Sequence, residues 1–214
     1  MKRAKRKTRP VVVVAAAAVA VAVAVQDSGR LLAQQVGTAL KEHGMTLVTA
    51  ESCTGGAIAQ AVTMIPGSSD WFDRGFVTYS NTSKEEMLGV SPHTLVEHGA
   101  VSEQTVREMA DGALQYSRAQ VAVSVSGIAG PTGGTPEKPV GMVWFAWATN
   151  DDVQTACHQL SGDRDAIRAK SVQIALQGVL NLLNLIIKEA YSAKRTNVLY
   201  KSELLCHNPP HRIF

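Results

Sequence analysis

The chain has 214 residues, 45% hydrophobic and 18% charged, with a formal charge of +3. Such a length and composition describe one globular domain able to bury a core, and exclude a disordered or fibrous chain. The positive excess sits in Lys2, Arg3, Lys5, Arg6, Lys7 and Arg9, which leaves a slightly acidic body and no basic surface for nucleic acid.

Residues 1–27 join this basic stretch to a Val/Ala run from Val11 to Val25, shorter than the roughly 20 residues that a bilayer-spanning helix needs. Ala22-Val23-Ala24 completes the outline of an export signal, but the near-uniform Val/Ala composition reads as a low-complexity leader outside the fold. A cytoplasmic location is expected, with export as the alternative. Cys53, Cys157 and Cys206 form no CxxC pair and suit a reducing compartment, and the six histidines show no zinc-ligand spacing.

Leu31, Leu32, Val36, Ala39 and Leu40 recur at helical spacing between Ser28 and Gly44, which marks a first helix. The apolar stretch Thr46-Leu47-Val48-Thr49 then enters Ala50-Glu51-Ser52-Cys53-Thr54-Gly55-Gly56, and Ala57, Ile58, Ala61, Val62 and Ile65 resume the helical period. This is a strand, a turn and a helix. Ser52 in such a turn lies in the field of unpaired helix amides, where an anion is favoured; the alternative is that Ser52 or Thr54 only caps the helix.

Pro66-Gly67-Ser68-Ser69 is a turn, and Gly75 to Tyr79 reads as a second strand. Ser80 starts a short helix through Leu88 that carries Lys84, Ser91-Pro92 starts another ending near Gly99, and Ser102-Glu103 starts a longer one containing Val106, Met109, Ala110, Ala113 and Leu114. Val121 to Val125 is a strand leading into the glycine-rich Ser126 to Gly134. Val140 to Thr149 is apolar on both faces, as a central strand would be, and Val153 to Leu160 pairs beside it as a hairpin.

Ser161-Gly162-Asp163 introduces a last helix with Ile167, Ile174, Val179, Leu183 and Ile186 on its apolar face. Periodicity is lost after Lys188, so residues 189–214 read as a polar tail and 28–188 as the domain. The fold class is α/β: a single-domain three-layer α/β sandwich with a mixed, mostly parallel sheet.

Loops at the carboxyl ends of strands converge in such sheets, which brings the turns at Ser52, Tyr79 to Lys84 and Ser126 to Gly134 toward one site. A serine hydroxyl needs a base, and the chain has neither a GxSxG elbow nor an evident His-Asp partner. Lys84 can serve if burial lowers its pKa from about 10.4 to about 7–8. Tyr79 could donate or relay a proton, Cys53 is a second-ranked nucleophile, and the glycine loop can bring amides to an anion. Arg164 and Arg168, four apart at a helix start, suit a phosphate or carboxylate, unless Asp163 and Asp165 hold them in a surface network.

Six stretches in this order, Ser52-Cys53-Thr54-Gly55-Gly56, Phe76-Val77-Thr78-Tyr79-Ser80-Asn81 with Lys84, Gly99-Ala100-Val101-Ser102, Ser126-Gly127-Ile128-Ala129-Gly130-Pro131, Lys138-Pro139-Val140-Gly141 and Gly162-Asp163-Arg164, resemble the CinA carboxy-terminal domain family, the PncC-type nicotinamide-nucleotide amidases. The resemblance covers about residues 30 to 187. It implies hydrolysis of nicotinamide mononucleotide to nicotinate mononucleotide and ammonia, with no cofactor and no metal. It casts Ser52 as nucleophile, Lys84 as base and Tyr79 as assistant, with Cys53, Thr54 and Gly55 around the oxyanion. Asn81, Ser126, Gly127, Gly130, Gly133, Arg164 and Arg168 become the substrate contacts.

The expected partner is a small nucleotide substrate, in a homo-oligomer, with no nucleic acid and no stable membrane insertion. Two alternatives stay open: a non-catalytic nucleotide-binding or competence-associated protein, and an amidase of another small carboxamide.

Overall fold

The sheet is assembled from β1 (Leu47–Glu51), β2 (Phe72–Val77), β3 (Val121–Gly127), β4 (Met142–Ala148) and β5 (Val153–Gln159) in the order β2-β1-β3-β4-β5. The structure, a computed structural model, describes residues 28–206, with side chains through Lys188; the leader 1–27 and residues 207–214 lie outside the described residues. β1 pairs in parallel with β2 and β3, while β4 is antiparallel to both β3 and β5. The sheet is therefore mixed, with four strands pointing one way.

Helices cover both faces. On one lie α1 (28–42), α2 (Ala57–Thr63) and α6 (Arg164–Cys206), whose Val36, Leu40, Ile58, Val62, Leu176 and Val179 pack with Val123, Phe145 and Trp147. On the other lie α3 (Asn81–Leu88), α4 (Pro92–Glu97) and α5 (Glu103–Gln115), where Leu88, Leu95, Val106 and Met109 meet Val48, Ala50 and Ala146. This is the three-layer sandwich. β1, paired on both edges and covered on both faces, is buried at every residue, which is why its sequence carries little alternation.

Two boundaries differ most from the sequence reading. The second strand starts at Phe72 and ends at Val77, where Gly75 to Tyr79 was expected. It is an edge strand with exposed Asp73 and Arg74, whose charges mask its start; at the other end Thr78 still donates its N–H to Glu51 O (2.8 Å) before the chain turns into α3. The last helix runs past Lys188 to Cys206 through a stretch that contains no Gly or Pro to stop it. Its Arg164–Lys188 part is long and apolar enough to cross a membrane, yet Ile167, Leu176, Val179 and Leu183 are buried in the core.

Parallel pairing aligns the strand ends. Glu51 stands opposite Val77 on one side and Val125 on the other, so the chain leaves β1, β2 and β3 at one edge of the sheet.

Candidate active site

Alternation along β1 separates two neighbouring side chains. Thr49 and Glu51 face α2, where the Glu51 carboxylate accepts from the N–H of Ile58 (3.0 Å) and Ala59 (2.8 Å), and Ser52 faces α3. There the Lys84 Nζ lies 3.1 Å from Ser52 Oγ and donates to Thr78 O at 2.8 Å. Lys84 is 1% exposed, and burial holds its pKa below the ordinary lysine value.

α3 fixes that amine. Ser80 at its N-cap accepts from Ser83 N (3.0 Å) while Ser83 Oγ accepts from Ser80 N (3.1 Å), a reciprocal capping box one residue ahead of Lys84. A neutral amine has two N–H bonds and one lone pair. With Thr78 O accepting one N–H, the lone pair can take the proton of Ser52, within the 2.6–3.2 Å reach of a general base.

Ser52, Cys53, Tyr79, Lys84, Ser126, Gly127 and Arg164 line one cleft of about 210 Å³, together with Ala100, Val101 and Ala129. The three strand-end turns thus share one site. Tyr79 is 61% exposed at the mouth, and its OH accepts from Arg164 Nη2 at 3.1 Å. Arg164 also donates to Gly130 O (2.9 Å), so it ties the start of α6 to two walls of the cleft. Ser126 donates its hydroxyl to Ala100 O (2.6 Å), a buried tie between the β3 end and the turn before α5.

The remaining expected residues lie around the cleft. Arg168 donates to Thr54 O (2.8 Å) behind the Ser52 turn, and its contact with Asp165 is long, at 4.0 Å. Asn81 is exposed in the first turn of α3, and Gly133 is exposed beyond the cleft. Gly130 has φ 76°, and a Cβ there would meet Val140 Cγ1 at 2.5 Å, so only glycine fits where Arg164 anchors. Cys53 is buried, which pushes its thiol up to about 11 and keeps it un-ionised near neutral pH.

Two features of the turn correct the sequence reading. The α2 N-cap is Gly56, with no side-chain cap bond, so neither Ser52 nor Thr54 caps the helix; the Thr54 hydroxyl is buried without a partner among the described residues. The α2 amides do not face an anion at Ser52, because Glu51 already occupies those of Ile58 and Ala59.

Within the turn, the Ser52 N–H donates to Val125 O and the Gly55 N–H to Ser52 O, both at 3.0 Å. The amides of Cys53 and Thr54 have no backbone acceptor among the described residues, the Cys53 N–H meeting only its own thiol, and these are the donors that an oxyanion could take. Sequence reasoning missed the Thr78 carbonyl, the Ala100-Val101 wall and Glu51. The first acts through its backbone and the second through apolar surface, so neither has a chemical signature, whereas an acid directly before Ser52 was a visible signal.

The CinA C-terminal domain family matches residues 30–183. Proteins named nicotinamide-nucleotide amidohydrolase PncC from Enterobacter agglomerans and Escherichia coli K12 are each 59% identical, over 70% and 68% of this chain and 92% and 89% of theirs. A crystal structure of the competence/damage inducible protein CihA from Agrobacterium tumefaciens superposes with a TM-score of 0.71 at 48% identity, covering 73% of this chain and 96% of that one.

Proposed function

The chain belongs to the CinA C-terminal domain family, and on that premise we propose that it hydrolyses the carboxamide of nicotinamide mononucleotide to nicotinate mononucleotide and ammonia. The observation that carries this reading is the Ser52 Oγ to Lys84 Nζ distance of 3.1 Å inside a buried cleft. The names of the two relatives supply the substrate.

Ser52 Oγ attacks the amide carbon as its proton passes to neutral Lys84. The Cys53 and Thr54 amides receive the oxyanion, each donor of this kind typically contributing about 3–4 kcal/mol. The Lys84 ammonium then protonates the leaving nitrogen, ammonia departs, and a nicotinoyl ester remains on Ser52. Water attacks the ester, Lys84 takes its proton and passes it to the departing Ser52 oxygen, and nicotinate mononucleotide is released. Tyr79 and Arg164 hold the mouth, with Arg164 offering its guanidinium to the substrate phosphate; Asn81, Gly130, Gly133 and Arg168 complete the surroundings. Residues 28–188 form the amidase domain of a cytoplasmic homo-oligomer.

The test incubates the protein and its Ser52→Ala variant with nicotinamide mononucleotide and follows ammonia and nicotinate mononucleotide. Both products from the wild type and neither from the variant are expected. Equal activity in both would move the nucleophile to Cys53, and no product from either would favour a nucleotide-binding protein. Nicotinamide and glutamine assayed alongside decide between the nucleotide and another small carboxamide.

A further inference from the structure

Glu51, the last residue of β1, is a fully buried carboxylate to which the reaction above gives no chemistry. Its two oxygens accept from Ile58 N and Ala59 N, and Oε1 accepts from Thr49 Oγ1 at 3.3 Å. α2 supplies no cap of its own: Gly56 has no side chain and the first helical turn has no acid. A side chain from the preceding strand therefore satisfies the amides that a helix start leaves open and balances the positive end of the helix. Gly56, at φ 90°, holds a left-handed backbone that a capping Ser or Asp would not adopt, so the cap comes from outside the helix.

What Glu51 adds is a bridge across the turn of residues 52–57. One end of the bridge is the strand residue directly before Ser52, and the other is the first turn of the helix that follows. With Ser52 N bound to Val125 O and Thr54 O held by Arg168, the turn is fastened at both ends and at its back. The Cys53 and Thr54 amides, which have no backbone acceptor among the described residues, lie in the fastened segment.

We infer that Glu51 is a positioning residue for hydrolysis: its carboxylate locks β1 to the start of α2 and so holds Ser52 Oγ against Lys84 and keeps the Cys53 and Thr54 amides in register with it. This inference rests on the amidase reading. It also assigns the α2 terminus to the protein's own carboxylate rather than to a substrate anion.

Glu51→Gln keeps the volume but turns an NH2 toward one of the two amide donors. The expected result is a folded protein whose kcat falls at least about tenfold, as misplacement of reacting groups costs, while KM changes less than about twofold. Amide hydrogen exchange should speed up over residues 52–59 and stay unchanged in β3. An unchanged kcat overturns the inference, and so does loss of protection spread evenly over the domain, which would make Glu51 a general stabiliser.

If the variant does not fold, Thr49→Val removes only the hydroxyl donor to the same carboxylate, and kcat should fall about two- to fivefold at constant KM; no change there overturns the inference. Wild-type protein in the same assay separates the two failures. An inactive wild type defeats the amidase reading, while the exchange pattern still decides whether Glu51 holds the turn.

Discussion

Lys84 is placed where a lysine is costly to keep charged, and that cost has a sign that can be measured. Burial lowers its pKa below the ordinary 10.5, so between the folded and unfolded values the unfolded chain binds more protons and stability rises with pH. Lys84→Met should therefore melt above the wild type at neutral pH, by a margin that closes as the pH approaches 10.5. A margin independent of pH would mean that the lysine is not perturbed. The same variant should lose about 10²–10⁴-fold in kcat, the usual range for a general acid–base, and wild-type kcat/KM should rise with pH through a midpoint below that of a free lysine. In the proposed reaction Arg164 serves binding rather than proton transfer. Arg164→Ala removes the ties to Gly130 O and Tyr79 OH and the cation at the cleft, so KM for nicotinamide mononucleotide should rise about 10- to 100-fold, with little effect on free nicotinamide. An equal loss on both substrates would remove the phosphate role.

The short helix α3 presents Lys84, and its position is set by the Ser80–Ser83 box at one end, Gly89 with φ 69° at the other, and α5 beneath. Gly112 of α5 is what lets the two approach: a Cβ there would run into Leu88 O. Replacing an interior helix glycine by alanine ordinarily stabilises by about 1 kcal/mol, whereas forcing extra volume into a packed contact costs about 1–3 kcal/mol. The obstacle is backbone, which cannot rotate aside, so the clash should win. Gly112→Ala is expected to lower stability by about 1–2 kcal/mol and to reduce kcat more than it raises KM, because Leu88 moves on the helix that carries Lys84. Denaturant unfolding and steady-state kinetics check both; a stabilised, fully active variant would show that α3 shifts without cost. Elements of this kind were legible where local chemistry sets them: Ser80, Ser102 and Pro92 each mark a helix start that the structure has. Glu51 was visible as an acid beside Ser52, but its role was not, because its cap bonds reach from a strand into the following helix and no local helix-start pattern contains them.

At the scale of the molecule, the apolar runs and glycine turns announced the sheet, its covering layers and the meeting of three strand ends, since buried strands and helix faces impose period and length on the sequence. The order of strands and the side on which each side chain emerges required the pairing itself: only the register of Glu51 with Val77 and Val125 shows why Ser52, Tyr79 and Ser126 meet. Where the domain stops is a separate question, because α6 continues as a helix to Cys206 while, among the residues whose side chains are described, its fully buried face lies between Ile167 and Leu183. Every described residue that lines the cleft lies between Ser52 and Arg164, and among the described residues the apolar packing reaches no further than Ile186. A fragment of residues 28–188 should therefore fold, and should hydrolyse nicotinamide mononucleotide with kcat/KM within about twofold of the full chain, as expected of a self-contained domain. A folded but inactive fragment would instead assign part of the site to the segments removed. In that case, mixing the fragment with an inactive Ser52→Ala full chain should restore turnover if a second copy supplies the missing part, and should not if the segment acts only within its own chain.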